Sequence, residues 1–458
     1  IDYDTTKEQA AGMTYLSQVV IVTEPGNEPT FAETILANNE VKTPLTTPGK
    51  EVSAHVLDDV ESQSKSVSST YQAYYITYGT GYEANGTKFN LTGTAVTSDT
   101  YANSYSSLVG KYLVSDYIPD AGSSTAGTLK TTTNLSSVYY VVSATSSSFT
   151  YKQITSNKNT TEALLASTQD DYGTSYYFRG AVKNNYVEFA NKCWRIVRIT
   201  GDGSVKLVLH NDNTTKVVNP CLSANNSTNA AFARYSDTTY TSAFNTSVND
   251  NAYVGFKYGT VGASDYASAH ANTNKSTILT NLETWYKNNL ELYEDKLADT
   301  IWCNDKSTVS GGTGYGTKYT KYAANNRING GSPSLICPND NNGGKLSKFT
   351  VKDTTNGNGN LTYKIGLLTA DEIAFAGSVF DTYNSSTYLQ ENTGTNWWWS
   401  LSPGYLGGGD CAYVWRVGSG GFNHIYVSFY NGVRPAISLI SSTNVTGSGT
   451  SEDPYIIE

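Results

Sequence analysis

Residues 193–209 read CWRIVRITGDGSVKLVL, two apolar runs joined by a glycine–aspartate–glycine turn. Both runs are rich in β-branched residues, and a glycine-containing turn between two such runs predicts a β-hairpin. Two further apolar runs precede it, residues 176–182 and 186–189, separated by Lys183-Asn184-Asn185. This region therefore predicts an antiparallel meander of three or four strands.

Two helices are predicted after the meander. Apolar residues recur at three- and four-residue spacings over residues 278–297, which is the pattern of an amphipathic helix. A second helix is expected to start at Thr369, because Thr369 and Glu372 have the spacing of a capping box. The long stretches 211–275 and 304–362 are expected to run over the surface of the domain.

Changes in composition and hydrophobic pattern along the chain predict three regions. Residues 1–60 combine a short helix, opened by a capping box at Thr30 and Glu33, with a proline-containing extended linker. Residues 61–160 are rich in Ser, Thr, Tyr and Gly and alternate as short strands do, which predicts a small β domain. Residues 161–458 form the remainder. The fold class is therefore α+β: a β-rich N-terminal domain followed by a domain of antiparallel strands and two main helices.

Composition excludes several classes of partner. The chain has 458 residues, with 31 Lys and Arg against 40 Asp and Glu, and a formal net charge of −9. This balance argues against nucleic acid and anionic membrane surfaces, both of which require a basic face. No apolar run approaches the ~20 residues of a membrane-spanning helix. A charged fraction of 16% beside 36 Tyr and 40 Gly is typical of an exported surface protein, so we expect an extracellular, cell-surface or phage-virion location. The chain opens at Ile1, so a removed leader is an expectation and a trimmed chain the alternative.

The five cysteines are not arranged as metal ligands, because none lies in a CxxC pair. Their neighbourhoods favour two sequential disulfides, Cys193–Cys221 and Cys303–Cys337, with Cys411 left over. The alternative is that all are reduced and act as small buried residues.

A search for catalytic constellations leaves no enzyme signature. The four histidines are scattered, and none has another at metal-ligand spacing. The adjacent acids Asp170-Asp171 and Asp371-Glu372 fit a loop and a helix start without acid–base chemistry. A nucleophile elbow and a phosphate-binding loop are both missing, and the calcium-like run from Asp340 lacks its closing glutamate. We therefore expect no enzyme activity, no cofactor and no metal site.

The C-terminal segment carries the strongest functional pattern. An aromatic block at 396–403 is followed by a loop at 404–411, a strand at 412–417, a turn at 418–421 and a partner strand at 422–427. Aromatic, small and amide residues alternate here with almost no Lys or Glu. This composition is typical of antibody paratopes, in which rigid rings supply contact area at low entropic cost. The alternative is an ordinary closing hairpin with aromatic packing.

Five motifs carry a resemblance, namely 176–187, 367–372, 397–403, 432–436 and 447–456. Over residues 165–458 the chain resembles a surface-protein family of gut Bacillota and their phages. The C-terminal half of that family is similar to the C-type-lectin-like fold of formylglycine-generating-enzyme type. The same fold also houses the variable proteins of diversity-generating retroelements.

The resemblance implies a fixed framework and a variable ligand-facing set near the C-terminus. The framework would comprise Trp397–Trp399, Ser402, Pro403, Ala412, Val414, Val417, Gly420 and Gly432–Ala436. The ligand-facing set would comprise Tyr405, Leu406, Asp410, Cys411, Tyr413, Arg416, Asn423, His424, Ile425, Ser428, Phe429, Tyr430 and Asn431. The chain departs from the enzyme branch, which needs a reactive cysteine pair, and from calcium-dependent lectins, whose EPN and WND motifs it lacks.

Two functions from different classes follow. The first is an extracellular ligand-binding protein, an adhesin or receptor-binding module, whose partner is an unknown protein or glycan on a host or neighbouring cell. Its anchors would be Tyr405, Tyr413, Phe429 and Tyr430, with polar specificity from Arg416, Asn423 and His424. The alternative is a structural subunit of a surface filament or pilus-like assembly, self-assembling through β edges in the N-terminal region.

Overall fold

A computed structural model of the chain describes residues 28–44, 47–49 and 163–457, apart from 310, 339–344, 382–386, 408 and 410, together with short segments between residues 54 and 154.

The N-terminal part begins with helix α1 (Phe31–Asn38). Its capping box is present as predicted: the Thr30 hydroxyl accepts a hydrogen bond from Glu33 N, and the Glu33 carboxylate accepts one from Thr30 N. Short strands follow: β1 (Ala54–His55), β2 (Gln63–Ser66), β3 (Ala73–Tyr75), β4 (Tyr82–Ala84), β5 (Thr87–Phe89), β6 (Thr100–Ala102), β7 (Tyr112–Val114), β8 (Val138–Ala144) and β9 (Ser148–Ile154). Strands β2, β9, β8 and β7 form an antiparallel sheet in that order.

The larger part of the chain is mixed, with extended sheets and a few short helices. Its strands are β10 (Leu164–Asp170), β11 (Gly173–Arg179), β12 (Tyr186–Phe189), β13 (Lys192–Ile199), β14 (Val205–Asn211), β15 (Thr241–Ser242), β16 (Lys257–Tyr258), β17 (Asn274–Lys275), β18 (Trp302–Cys303), β19 (Thr320–Lys321), β20 (Lys348–Phe349), β21 (Trp398–Gly407), β22 (Cys411–Gly418), β23 (Gly421–Tyr426), β24 (Asn431–Gly432), β25 (Ala436–Leu439), β26 (Val445–Thr446) and β27 (Tyr455–Ile457). Its helices are α2 (Tyr266–Ala269), α3 (Thr277–Asn289), α4 (Ala323–Asn329) and α5 (Ala370–Phe375). An α+β architecture dominated by β-sheet is therefore observed.

The first sheet contains the predicted meander, with one difference in pairing. Strands β12, β13 and β14 are consecutive antiparallel neighbours, and β25 pairs with the outer edge of β14. Strand β11 does not form a hairpin with β12; both strands pair with the same edge of β13. The chain between them, residues 180–185, leaves the sheet and returns to it. Strand β27 joins the other edge of β12 in parallel, and β26 pairs with the far edge of β27.

The second sheet has the order β15-β24-β21-β22-β23, with β19 also on β21. The predicted hairpin is confirmed as β22 and β23, joined by the turn between Gly418 and Gly421. The predicted loop at 404–411 is wrong in its first half. Residues 404–407 continue β21 and pair with β22, because Tyr405, Leu406 and Gly407 face Tyr413, Ala412 and Cys411.

One large core lies under both sheets. Trp194, Trp285 and Trp399 are fully buried in it, and helix α1 adds Phe31 and Ile35. The expectation that residues 211–275 and 304–362 run over the surface is wrong. Both stretches send aromatic side chains into the same core, namely Phe232, Phe244, Phe256 and Phe349. Burying these rings stabilises irregular backbone that has little secondary structure of its own.

The predicted helices are confirmed with adjusted ends. Helix α3 ends at Asn289, and residues 291–296 form a separate 3-10 helix rather than its continuation. Helix α5 follows the predicted capping box of Thr369 and Glu372. Helix α1, predicted for a separate N-terminal segment, packs on the large core, since Phe31 lies edge-on to Tyr455 at 5.2 Å. The boundaries at residues 60 and 160 stay predictions.

Among the helices of the described residues, none combines the length and apolar character needed to cross a bilayer.

Candidate functional site

The predicted ligand-facing residues of hairpin β22–β23 are divided between the two faces of the sheet. Successive side chains of a strand point to opposite faces. Tyr413 and His424 therefore lie on one face, whereas Arg416 and Asn423 lie on the other, as the register Trp415↔His424 and Arg416↔Asn423 requires. One flat ligand cannot cover both sets, so the single predicted surface becomes two candidate sites.

On the first face, four rings form what we call the tyrosine ladder: Tyr405, Tyr413, Tyr426 and Phe429. Tyr405 stacks on Tyr413 with ring centroids 4.1 Å apart and planes inclined by 17°. Tyr426 lies next, 4.4 Å from Tyr413, and Phe429 follows at 5.8 Å from Tyr426. Each ring of the ladder contacts a ring on the neighbouring strand or in the adjoining turn. The pairing register of the strands therefore determines the stacking.

Gly407 leaves room for the ring of Tyr405, the first ring of the ladder. A Cβ at Gly407 would stand 2.5 Å from Cε2 of Tyr405, closer than side chains tolerate. The Tyr405 ring therefore lies flat over the backbone of Gly407 and can reach Tyr413. The glycine-rich character of this segment is explained by ring placement as well as by turn geometry.

His424 lies between the tyrosine ladder and the buried Trp415. Its ring meets Tyr405 edge-on at 4.7 Å and Trp415 at 5.2 Å, and Trp415 is fully buried. Burial, and then the charge of Arg416, lowers the pKa of His424 below its ordinary value of 6.5. The imidazole is therefore neutral at pH 7 and acts as part of the aromatic surface.

The phenols of the ladder influence one another's titration. Burial, and then the neighbouring phenols of Tyr426 and Tyr405, raises the pKa of Tyr413. The phenol of Tyr413 therefore stays protonated at neutral pH, and the ladder presents uncharged rings to solvent.

The ladder is accessible from solvent at its outer end. Tyr405, Tyr413 and Tyr426 are half-buried, and 49% of Phe429 is exposed. The next residue, Tyr430, is 69% exposed. Exposed aromatic rings held in a fixed array are typical of binding surfaces.

Other members of the predicted set do not face solvent or lie outside the described residues. Leu406 is fully buried, because its side chain points to the core face of β21 beside Ala412. Asn431 is 4% exposed, since β24 is an inner strand of the sheet. Neither side chain is exposed to solvent, and Leu406 belongs to the core. Asp410 lies outside the described residues, and Cys411 is a half-buried free thiol.

Two other members occupy intermediate positions. Ile425 is half-buried and packs against the large core from the second face, and Ser428 is half-buried in the turn after β23. Most of the implied framework is buried, whereas Trp397 is half-buried and Gly420 is exposed.

On the second face, four residues form what we call the Arg416 patch: Arg416, Trp397, Asn423 and Asn431. The guanidinium of Arg416 lies 4.1 Å from the centre of the Trp397 ring, a cation–π contact. Its Nε donates to Asn423 Oδ1 at 3.1 Å, and its Nη1 donates to Asn431 Oδ1 at 3.4 Å. Gly418 and Gly420 leave room for the Trp397 indole, since a Cβ at either position would stand 3.2–3.3 Å from it.

Both predicted disulfides are present. Cys193 is bonded to Cys221 and Cys303 to Cys337, and the two bonds span 28 and 34 residues of chain. The first fixes the start of β13 to the loop after β14. The second joins β18 to the loop after α4.

The acids that the sequence brings together are held in a buried charge cluster beside the second disulfide. Glu372 accepts from Lys206 at 2.6 Å and from Arg198 at 3.0 Å, and Arg198 also pairs with Asp170. Neighbouring Asp371 accepts two hydrogen bonds from the Arg327 guanidinium, from Nε to Oδ1 and from Nη2 to Oδ2, both at 2.8 Å. The cluster surrounds a cavity of about 20 Å³, which has room for a single water molecule. Because each acid has a basic partner, the cluster joins helix α5 to the first sheet.

Within the part of the chain that the structure describes, no group of three or more His, Cys, Asp or Glu side chains has an arrangement suited to a metal ion.

Sequence reasoning missed Tyr426 and the contact role of Trp397. A signal for Tyr426 was available, because a hairpin turning between Gly418 and Gly421 places Tyr426 opposite Tyr413. No comparable local signal places Trp397 over Arg416.

Comparison of the chain with protein-family models, with curated proteins and with solved structures gave no match, so both candidate sites rest on their own geometry.

Proposed function

We propose that this chain is an extracellular ligand-binding protein and that the tyrosine ladder is its contact surface. The observation that carries the proposal is the fixed stack of half-exposed rings running from Tyr405 to Phe429. Rigid aromatic side chains lose little conformational entropy on binding, and a preorganised array reduces the free-energy cost of association. The hydroxyl groups at the ring edges add hydrogen-bonding capacity to an otherwise apolar surface.

An extracellular location is supported by the disulfides. Two such bonds in one chain are typical of an oxidising compartment, where small loops are held by covalent links. The low charged fraction of 16% also fits a surface protein rather than a nucleic-acid binder.

We further propose that the C-terminal half has a C-type-lectin-like fold related to the variable proteins of retroelements. Support comes from the contact between two of the motifs behind the resemblance. Gly432 N donates to Trp397 O at 2.7 Å, and Arg434 is buried with its guanidinium 4.9 Å from the Trp398 ring. Sequencing the segment encoding residues 396–436 in the producing population tests the variable-protein proposal. Substitutions concentrated on Tyr405 and 428–430 are expected, and an invariant segment would contradict it.

The filament-subunit alternative stays a prediction, because it depends on residues 1–160, most of which lie outside the described residues.

Truncation of exposed ladder rings tests the proposed contact surface. The purified protein is applied to arrays of glycans and of host cell-surface ectodomains, and each ligand found is titrated against variants. Phe429→Ala should weaken binding by at least about thirtyfold, the loss expected when an aromatic anchor of a binding surface is truncated, with an unchanged melting temperature. Tyr319→Ala is the matched control, since Tyr319 is 59% exposed and outside the ladder.

Two results would contradict the proposal. One is unchanged affinity in Phe429→Ala and in Tyr413→Phe, which removes the central hydroxyl but keeps the ring. The other is a loss of thermal stability that accounts for the whole loss of binding, which would make the ladder part of the core.

A further inference from the structure

Arg416 is a half-buried cation on strand β22. Among the described residues, no carboxylate forms an ion pair with Arg416, although Arg195, Arg198 and Arg327 all have one. Burial alone lowers the pKa of Arg416, with no acidic group acting in the opposite direction.

The hydrogen bonds of the Arg416 patch leave donors in excess. The amide oxygens of Asn423 and Asn431 are both used by the guanidinium. The Nδ2 group of Asn431 is buried without a partner, in a side chain that is 4% exposed. Guanidinium and carboxamide nitrogens only donate hydrogen bonds, so the patch requires acceptor atoms beyond those that the described residues around it supply. Unpaired donors at a desolvated site favour an incoming acceptor group.

The geometry of the patch selects a planar acceptor. The indole of Trp397 covers one face of the guanidinium at 4.1 Å, so a ligand approaches Arg416 by its nitrogen-bearing edge. The edge of a guanidinium matches the two oxygens of a carboxylate in a bidentate pair. A single cation on a chain of net charge −9 suits a single negative charge rather than a polyanion.

We propose that Arg416, Asn423 and Trp397 form a binding site for the carboxylate of an acidic sugar, a sialic acid or a hexuronic acid at the end of a glycan. The carboxylate pairs with Arg416, the ring oxygens and hydroxyls accept from the amide of Asn423, and the half-exposed indole contacts the sugar ring. The patch consists of four side chains, whereas a stable protein–protein interface uses about 20 to 30 residues on each side. This size favours a small terminal group over a folded protein partner, and the acidic peptide is tested separately below.

This site is independent of the tyrosine ladder, because it lies on the opposite face of the sheet. Its test therefore uses different variants and different ligands. Phe429→Ala, which removes a ladder ring, should leave acidic-sugar binding unchanged.

The experiment compares acidic sugars with their neutral counterparts by ligand-observed NMR and calorimetry on the full chain. The probes are 3′-sialyllactose against lactose, and a glucuronic acid-terminated disaccharide against its glucose-terminated analogue. A glutamate-containing hexapeptide is the third probe. The wild-type protein should bind at least one acidic sugar at least tenfold more tightly than its neutral partner.

Variants then locate the contact. Arg416→Gln should weaken acidic-sugar binding at least tenfold and leave neutral-sugar binding unchanged. Arg416→Lys keeps the charge but loses the bidentate edge, so it should recover only part of the affinity. Lys287→Gln removes one exposed positive charge on helix α3 and is the control for net charge.

Several outcomes would overturn the inference. They are equal affinity for acidic and neutral sugars, full affinity in a folded Arg416→Gln variant, and binding of the acidic peptide without the acidic sugars. Absence of acidic-sugar binding at millimolar concentration would overturn it as well. None of these results bears on the tyrosine ladder, whose own test is the array experiment with Phe429→Ala.

Discussion

The carboxylate of Glu372 lies 2.6 Å from the ammonium group of Lys206, and both side chains are buried. Glu372 also caps helix α5 through the backbone N–H of Thr369. Burial by itself would raise the pKa of Glu372, but Lys206 and then Arg198 hold that pKa at about 2, below its ordinary value of 4.5. One buried side chain therefore joins the cap of helix α5 to the first sheet.

Glu372→Gln should destabilise the fold by about 3–5 kcal/mol at pH 7, because it leaves the buried Lys206 without its carboxylate partner and removes one of the two carboxylates that pair with Arg198. The pH dependence has a defined sign. A carboxylate whose pKa is lowered on folding contributes stability above pH 4.5 and loses it as the pH falls toward about 2. Urea unfolding between pH 6 and the acid limit of the fold measures both effects, and the variant should show the shallower acid slope. Equal slopes would contradict the assignment.

His270 should make the protein less stable below neutral pH. Burial, and then the charge of Lys306, lowers the pKa of His270 from 6.5 to about 3. The unfolded chain therefore gains this proton first as the pH falls, and folding stability decreases below pH 6.5. At pH 5 the contribution is about 2 kcal/mol. Urea unfolding at pH 7 and pH 5 should show a smaller difference for His270→Phe than for the wild type. An unchanged difference would show that His270 is accessible to protons in the folded state.

Removing the first disulfide should lower stability. Cys193 and Cys221 are fully buried and their bond closes a loop of 28 residues, so Cys193→Ala with Cys221→Ala should cost about 3 kcal/mol. Thermal unfolding with and without reductant measures this effect. In the double variant the first disulfide is already absent, so reductant has no bond to break in that loop. Cys411→Ala is the control, because Cys411 is not bonded to another cysteine. A double variant as stable as the control would contradict the expectation.

Leu406 and Tyr430, expected from the sequence to share one surface, should behave differently. Leu406→Ala should cost about 2–5 kcal/mol, because it opens a cavity next to Ala412 in the core. Tyr430→Ala should change stability by no more than about 0.5 kcal/mol, because its ring is 69% exposed. Chemical denaturation of the two variants decides the point, and similar losses would place Tyr430 in the core.

The elements that the sequence predicts correctly are those specified by neighbouring residues. The capping boxes at Thr30 and Thr369 identify the starts of helices α1 and α5 because their hydrogen bonds join residues three apart. Hairpin β22–β23 is set by its own turn. The disulfides are the exception: each joins a cysteine to the next one along the chain, 28 and 34 residues away.

The candidate site is predicted less completely, because it depends on register across strands. Period-two alternation already separates Tyr413 from Arg416, although the resemblance assigns both to one ligand-facing surface. The face of Tyr405 cannot be read in this way. The register of β21 against β22 shifts between Trp399 and Pro403 and again between Pro403 and Tyr405. Each shift changes which side chains point together. Pro403-Gly404 marks an irregularity in the strand, but it does not specify by how many residues the register shifts.

The contact between the segment after helix α1 and strand β10 has a topological consequence. Lys42 N donates to Leu165 O at 2.8 Å, so the described residues on the two sides of residues 50–162 meet in one core. Replacing residues 50–162 with a short glycine–serine linker should therefore preserve that core, whereas a truncation that begins at residue 161 would delete Phe31 and Ile35 from it. Melting temperatures of the two shortened chains would separate these outcomes.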